Sequence, residues 1–327
     1  MRRRQLLSSL GGVALSLCAS RVRGAEKLFR VGYLDPASKS PISEGNFDEF
    51  RKALIALGYE DGRNVAFEVR WANGNASLYA SLCAELVAAR IDVLVTHSTW
   101  GATIAKRQVS ATPIVLALVQ DAVGNGLVQS LAHPGENITG SSFFFPELML
   151  KRLSLALEAL PNASRVATLV FPDDPAAQLT VDSLRAAAQT KQVTLDRFDA
   201  RGPEDFDKVS SDIAANGSHV VIVPEQAMFG THARALASAL LAHSVPSVGW
   251  ASYASVYGGF IGYGPRISTL FQRAAWYVDK ILHGVAPRDL PVEQPTVFLL
   301  TINTTVAKSL RVPIPPMLLA RADNVIE

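Results

Sequence analysis

The sequence predicts an α/β protein of two doubly wound parallel-sheet lobes joined by a three-crossing hinge. Three observations predict it. Short β-branched runs alternate with stretches of helical period almost to the end of the chain, a pattern that makes parallel sheets covered on both faces. The 327 residues exceed what one hydrophobic core supports, and a hydrophobic content of 49% is ample for two. Gly258, Gly259, Gly262 and Gly264 free the backbone at a late point of return from one lobe to the other.

The first element is an export signal over residues 1–25. Arg2, Arg3 and Arg4 form a positive start, Leu6 to Ala19 an apolar run, and Gly24-Ala25 a small-residue exit. The run is broken by Gly11 and Gly12 and is too short to span a hydrocarbon core of roughly twenty apolar residues. Arg3-Arg4-Gln5-Leu6-Leu7 fits the core of a twin-arginine signal, with Sec export as the alternative. Leu17 before Cys18 excludes a lipoprotein site, so the expected cut follows Ala25 and the mature protein is periplasmic.

Five strands are expected next: Arg30 to Leu34, Asn64 to Arg70, Val93 to Thr96, Ile114 to Val119 and Ile138 to Ser142. Phe47, Phe50, Leu54 and Leu57 recur at three and four residues before Gly58, which marks a one-sided helix with a glycine stop. Leu78, Leu82, Leu86 and Val87 repeat the pattern. The second half carries strands at Val166 to Phe171, Val193 to Phe198, Val220 to Pro224 and Ser247 to Trp250. Helices near Glu147 to Leu160, Ala176 to Gln189, Glu204 to Ala215 and His232 to His243 accompany them.

Crossings are expected at Ser141 to Pro146, Gly258 to Pro265 and Pro291 to Pro295. Between the last two a helix over Arg266 to His283 covers the first lobe. Asn303 caps a short helix to Leu310, ended by Pro313, Pro315 and Pro316. The lobes are therefore 26–143 with 264–292, and 144–263 with 293–327.

Charge and missing motifs narrow the function. The signal holds Arg2, Arg3, Arg4, Arg21 and Arg23 and no acid, so its removal leaves 26 basic against 29 acidic residues and turns +2 into −3. No basic block offers a footprint for nucleic acid. Cys83, left alone after cleavage, forms no intramolecular disulfide and is expected to be buried on its helix. There is no G-x-S-x-G elbow, no phosphate loop, no H-E-x-x-H and no dinucleotide fingerprint; Gly124-Asn125-Gly126 lies too late in the sheet. The histidines are scattered, and only His97 occupies a strand-end loop, as a hydrogen-bonding wall residue. An enzyme, a metal and a cofactor are not expected.

The blocks "FRVGYLDP", "LIALGYEDGRNVAFEVRWANGN", "TPIVLALVQDAVGNGLVQSLAHPGENITG", "LPVEQPTVFLLTINTTVAKSL" and "IPPMLLARADNVIE" resemble the family of ABC transporter substrate-binding proteins that includes periplasmic tryptophan and tyrosine receptors. The likeness runs from about Arg30 to Glu327 in family order. It implies a type I periplasmic binding fold, a small-molecule ligand held between lobes and an inner-membrane ABC permease as partner, with the binding protein a monomer. A periplasmic sensor for a signalling receptor and a cryptic hydrolase or lyase are the alternatives.

Ligands of open α/β sheets bind outside the carboxyl ends of the strands. Ser98 and Thr99, at a helix start after the third strand, suit a carboxylate, or serve as the helix cap. Asp121 is placed either to pair with an amino acid's ammonium or to serve as a helix N-cap or solvent-facing acid. It matches a family block that usually reads Asp-Pro, with Ala122 replacing the proline. Ser141 and Ser142 sit at the first crossing. Phe171, Glu225, Trp250 and Tyr253 follow second-lobe strands, and the three aromatics are either ligand walls or core. At Glu225 the family often has Asp.

Overall fold

The computed structural model describes residues 27–143, 145–174 and 177–327. The expected export signal, residue 144 of the first crossing and Ala176 at the start of a helix lie outside the described residues. In chain order the first layer holds β1 (Phe29–Asp35), α1 (Pro41–Ala56), β2 (Val65–Trp71), α2 (Ala76–Ala88), β3 (Val93–Thr96), α3 (Thr99–Gln108), β4 (Ile114–Gln120) and β5 (Ile138–Phe143). These strands form one parallel sheet ordered β2-β1-β3-β4-β5.

The chain then enters a second sheet through α4 (Phe145–Ala159), β6 (Arg165–Val170), α5 (Ala177–Lys191), β7 (Thr194–Asp199), α6 (Phe206–Ala215) and β8 (Val220–Ile222). It continues through α7 (Ala227–Thr231), α8 (Ala233–Ala242), β9 (Ser247–Gly249), α9 (Ala251–Tyr257) and β10 (Ile261–Pro265). Helix α10 (Ile267–Leu282) returns to the first layer. The chain ends in the second with β11 (Phe298–Asn303), α11 (Thr304–Ser309), α12 (Pro316–Leu319) and β12 (Asn324–Ile326). The order is β12-β11-β10-β9-β8-β6-β7, with only the β10–β11 pair antiparallel.

Alternation along each strand divides the core of the first sheet. Val31 and Tyr33, Val93 and Val95, and Val115 and Ala117 face α1 and α10. Leu34, Leu94, Ile114 and Leu116 face the opposite way, onto α2 and α3. Burial on both faces is what a covered parallel sheet requires. Local chemistry fixes the helix ends. Ser40 and Ser43 form a reciprocal capping box with Pro41 in the first turn of α1, and Gly58 beyond its end takes φ +96. Asn303 Oδ1 accepts from Val306 N at 3.0 Å and starts α11.

Two glycines are required by close approach. At Gly140, φ is +134 and a Cβ would lie 2.2 Å from the Leu116 carbonyl oxygen, where the β4–β5 register shifts. At Gly262 a Cβ would lie 2.5 Å from the Ala251 carbonyl oxygen, so its absence lets α9 press onto β10. The expectation of a free crossing over Gly258 to Pro265 is corrected here: Ile261 to Pro265 pair with β11, and the return falls between Pro265 and Ile267.

The passages between layers are bonded to one another. Ser142 N donates to Glu293 O and Glu293 N to Gly140 O, both at 2.9 Å, while Arg266 N donates to Val297 O at 2.9 Å. Arg273, whose guanidinium lies 3.6 Å from the Trp276 ring centre, pairs with the Glu293 carboxylate.

Cys83 is wholly buried on α2, and burial pushes its thiol up to about 12 from 9.0. The native protein is expected to resist thiol reagents at pH 8 and to label once unfolded. Because the folded value is raised, this contribution to stability is complete below the free thiol's 9.0 and is lost as pH rises toward 12. Following the unfolding midpoint across that window in a Cys83→Ala comparison measures it.

Candidate functional site

The carboxyl ends of β1, β3, β4 and β5 face the segments after β8 and β9 across a cavity of about 530 Å³. Its walls are largely apolar, with Leu118, Phe143 and Phe271 on one side and Trp250, Tyr257 and Leu299 on the other. Trp250 is 9% exposed, and its ring lies 5.0 Å from Tyr253 and 5.8 Å from Tyr257. It is brought there because α9 sits tightly on Gly262.

Four of the nine residues singled out in the sequence line this cavity: Ser98, Thr99, Glu225 and Trp250. Ser98, at φ +62, caps α3 by accepting from Gly101 N at 3.1 Å, and its O–H remains available to donate. The Thr99 hydroxyl is committed to the backbone of Gln120, accepting from its N at 3.1 Å and donating to its O at 3.3 Å. Glu225 stands on the wall with both oxygens engaged: Arg152 Nη1 donates to Oε2 at 2.6 Å and Nη2 donates to Oε1. Arg152 is wholly buried, and its Nε donates to Tyr263 O at 2.8 Å.

The other five lie off the cavity wall. Asp121, at φ +37, accepts from Gly124 N at 2.9 Å and closes the turn after β4, with no helix following it to cap. Ser142 Oγ accepts from Ala122 N at 2.9 Å, and buried Ser141 bridges to Glu293, so both build the crossing. Phe171 packs on the second-layer core with its N bonded to Gln226 Oε1 at 2.7 Å. Tyr253 is wholly buried because α9 begins immediately after Trp250 and turns it inward.

His97 stands on the wall as expected, with its side chain 19% exposed, but its Nε2 has no hydrogen-bond partner among the described residues. Sequence reasoning missed other wall residues. Asp35 at the end of β1 is wholly buried, and applying the strand-end rule to Leu34-Asp35-Pro36 finds it. Arg266 is exposed on the rim, as the N-cap of α10, and has no ion-pair partner among the described residues. No side chain caps α10, so its first-turn donors and dipole point toward the cavity end where Ile267 and Ser268 lie. Gln120 Nε2 donates to Glu225 O at 3.2 Å, a bond from one side of the cleft to the other. Among the described residues no cluster of His, Cys, Asp and Glu fits a metal ion, and no helix is long and apolar enough to cross a membrane.

The family model for ABC transporter substrate binding proteins matches residues 41–326. The chain belongs to the ABC transporter substrate-binding protein family. This family member is 27% identical to a conserved domain protein of Vibrio cholerae, with a TM-score of 0.85 over 91% of this chain and 99% of that one. It has the same TM-score with a Streptococcus pneumoniae ABC domain solved in complex with L-Trp, at 22% identity over 92% of this chain and all of that one. A tyrosine-binding protein of Clostridioides difficile is 30% identical over 140 residues, 43% of this chain. The matched stretch spans only 40% of that relative's length. The sheets, their order and the cleft agree with the two-lobed type I periplasmic binding fold.

Proposed function

We propose that this binding protein is the extracytoplasmic receptor of an ABC importer, capturing a small aromatic amino acid or related carboxylate and delivering it to an inner-membrane permease. The observation that carries this reading is the composition of the cleft. Flat apolar walls from both sheets surround it, and unpaired Arg266 stands at the uncapped start of α10. A guanidinium beside free helix N–H groups suits a carboxylate, through charge-assisted bonds and the helix dipole. Trp250, Tyr257 and Phe271 suit a ring. The Trp complex and the tyrosine-binding relative support the same cargo.

The lobes 26–143 with 264–292 and 144–263 with 293–327 close as rigid bodies, with the return adjusted to Pro265–Ile267. Contacts from both walls exist together only in the closed form, so a ligand that makes them shifts the equilibrium toward closure. The signal over 1–25 directs export, and the protein acts as a monomer that changes no bond in its cargo.

Thermal-shift screening of the mature protein against L-tryptophan, L-tyrosine, other amino acids and aromatic carboxylates tests this, followed by calorimetric titration and recovery of the bound compound. A saturable rise in Tm with the compound recovered unchanged is expected. Recovery of an altered compound overturns the receptor reading.

A further inference from the structure

Five glycines surround α9, and turns account for only one of them. Of Gly249, Gly258, Gly259, Gly262 and Gly264, only Gly258 takes a positive φ, +83 at the C-cap of α9. The other four are required by what lies against them. A Cβ on Gly249 would lie 2.6 Å from Cγ of Tyr253, and one on Gly259 closer still to the same ring. On Gly262 it would meet the carbonyl oxygens of Ala251 at 2.5 Å and Trp250 at 2.7 Å, and on Gly264 the Ala251 nitrogen at 3.2 Å. Those partners are backbone atoms, with no rotamer to yield.

The missing side chains make a seat for one aromatic residue and the first turn of α9. Tyr253 has no exposed surface, and its ring backs Trp250 at 5.0 Å, tilted by 52°. Tyr257, on the cavity wall, meets the same indole at 5.8 Å and a steep 65°. The far end of α9 is tied down. Arg234 Nη2 donates to Val256 O at 2.7 Å, and Asn303 Nδ2 donates to Ala254 O at 3.2 Å. A helix held at one end and pressed onto bare backbone at the other does not absorb a change in its seat, because close-packed interiors transmit strain. A displacement there reaches Trp250, the residue at its N-cap.

We propose that Gly249, Gly259 and Gly262, through the Tyr253 ring and the helix start they admit, set how far Trp250 stands into the cleft and so fix the size of aromatic ring the cleft accepts. The inference rests on the cleft capturing an aromatic carboxylate, and it names the element that selects among rings. Neither these glycines nor Tyr253 line the cavity. They are positioning residues for Trp250, which does.

The test compares rings of rising size. The mature protein is titrated calorimetrically with L-phenylalanine, L-tyrosine and L-tryptophan and with the corresponding 3-arylpropionates, alongside Tyr253→Leu, Gly262→Ala and Tyr253→Phe, each checked for folding by thermal unfolding. Leucine removes the ring behind Trp250 and lets the indole settle back. Y253L is therefore expected to favour the indole ligands over the phenyl ligands about ten- to hundredfold more than the wild type does, the effect of roughly one methylene group of pocket space. G262A forces the Trp250 carbonyl off β10 and is expected to move the same ratio by at least about tenfold. Y253F keeps the ring and is expected to keep the wild-type ratio. A purely structural role for Tyr253 would lower every affinity together and leave the ratio alone. An unchanged ratio in Y253L overturns the inference, while binding by the wild type leaves capture of an aromatic carboxylate standing. If G262A does not fold, Y253L decides alone. If the wild type binds none of the six compounds, the inference falls together with the aromatic cargo it rests on.

Discussion

Glu225→Ala is expected to be the most damaging single change on the cleft wall, and to act through stability before it acts through binding. Arg152 has no exposure, and its guanidinium is held by the two Glu225 oxygens and the Tyr263 carbonyl. Removing the carboxylate leaves a buried cation with one neutral acceptor. Breaking a buried pair from one side costs about 3–5 kcal/mol, because the surviving charge is not resolvated. At this size that lowers Tm by roughly 10 °C. Adding Arg152→Met removes the stranded charge and is expected to restore most of the loss. Urea unfolding of the single and double variants measures both. An E225A midpoint equal to wild type would mean that water reaches Arg152.

The second large effect is on affinity. Arg266→Ala is expected to weaken a carboxylate-bearing ligand by about 1.5–3 kcal/mol, the range for a hydrogen bond to a charged group. The ligand-free Tm should move little, since Arg266 is exposed and makes no ion pair. Calorimetric titration of L-tyrosine or L-tryptophan decides it, and unchanged affinity would place the carboxylate elsewhere. Ser98→Ala with Thr99→Ala is a poorer probe of the same question. Both hydroxyls serve the backbone of α3 and β4, so their loss mixes a capping cost of about 1 kcal/mol into any change in binding.

Much of the fold was legible in the sequence because periodicity survives translation into structure. Nine strands lie where β-branched runs placed them, each within one or two residues at either end, and the caps at Ser98, Gly58 and Asn303 followed from local chemistry. The glycine-rich segment Ile261-Gly262-Tyr263-Gly264-Pro265 was not legible as a strand. Its glycines admit α9, a tertiary demand that leaves no period-2 signal. Missing α9 also left Tyr253 open between ligand wall and core; on the inner face of that helix it is core. At the site, strand-end position found Ser98, Thr99, Glu225 and Trp250 but could not say whether their polar atoms were already spent. Thr99 and Glu225 turn theirs onto the protein, a property of three-dimensional neighbours such as Arg152, 73 residues away along the chain.

The bonded passages between the layers carry a consequence for signalling to a partner. Gly140 and Ser142 are tied to Glu293, and Arg266 to Val297, so the strands of the hinge form a narrow braced strip. Such a strip resists splaying and sliding and bends readily about one axis. If the sheets close as proposed, they move along a single angular coordinate, and a permease touching both reads occupancy as one number, the opening angle, whatever the chemistry inside.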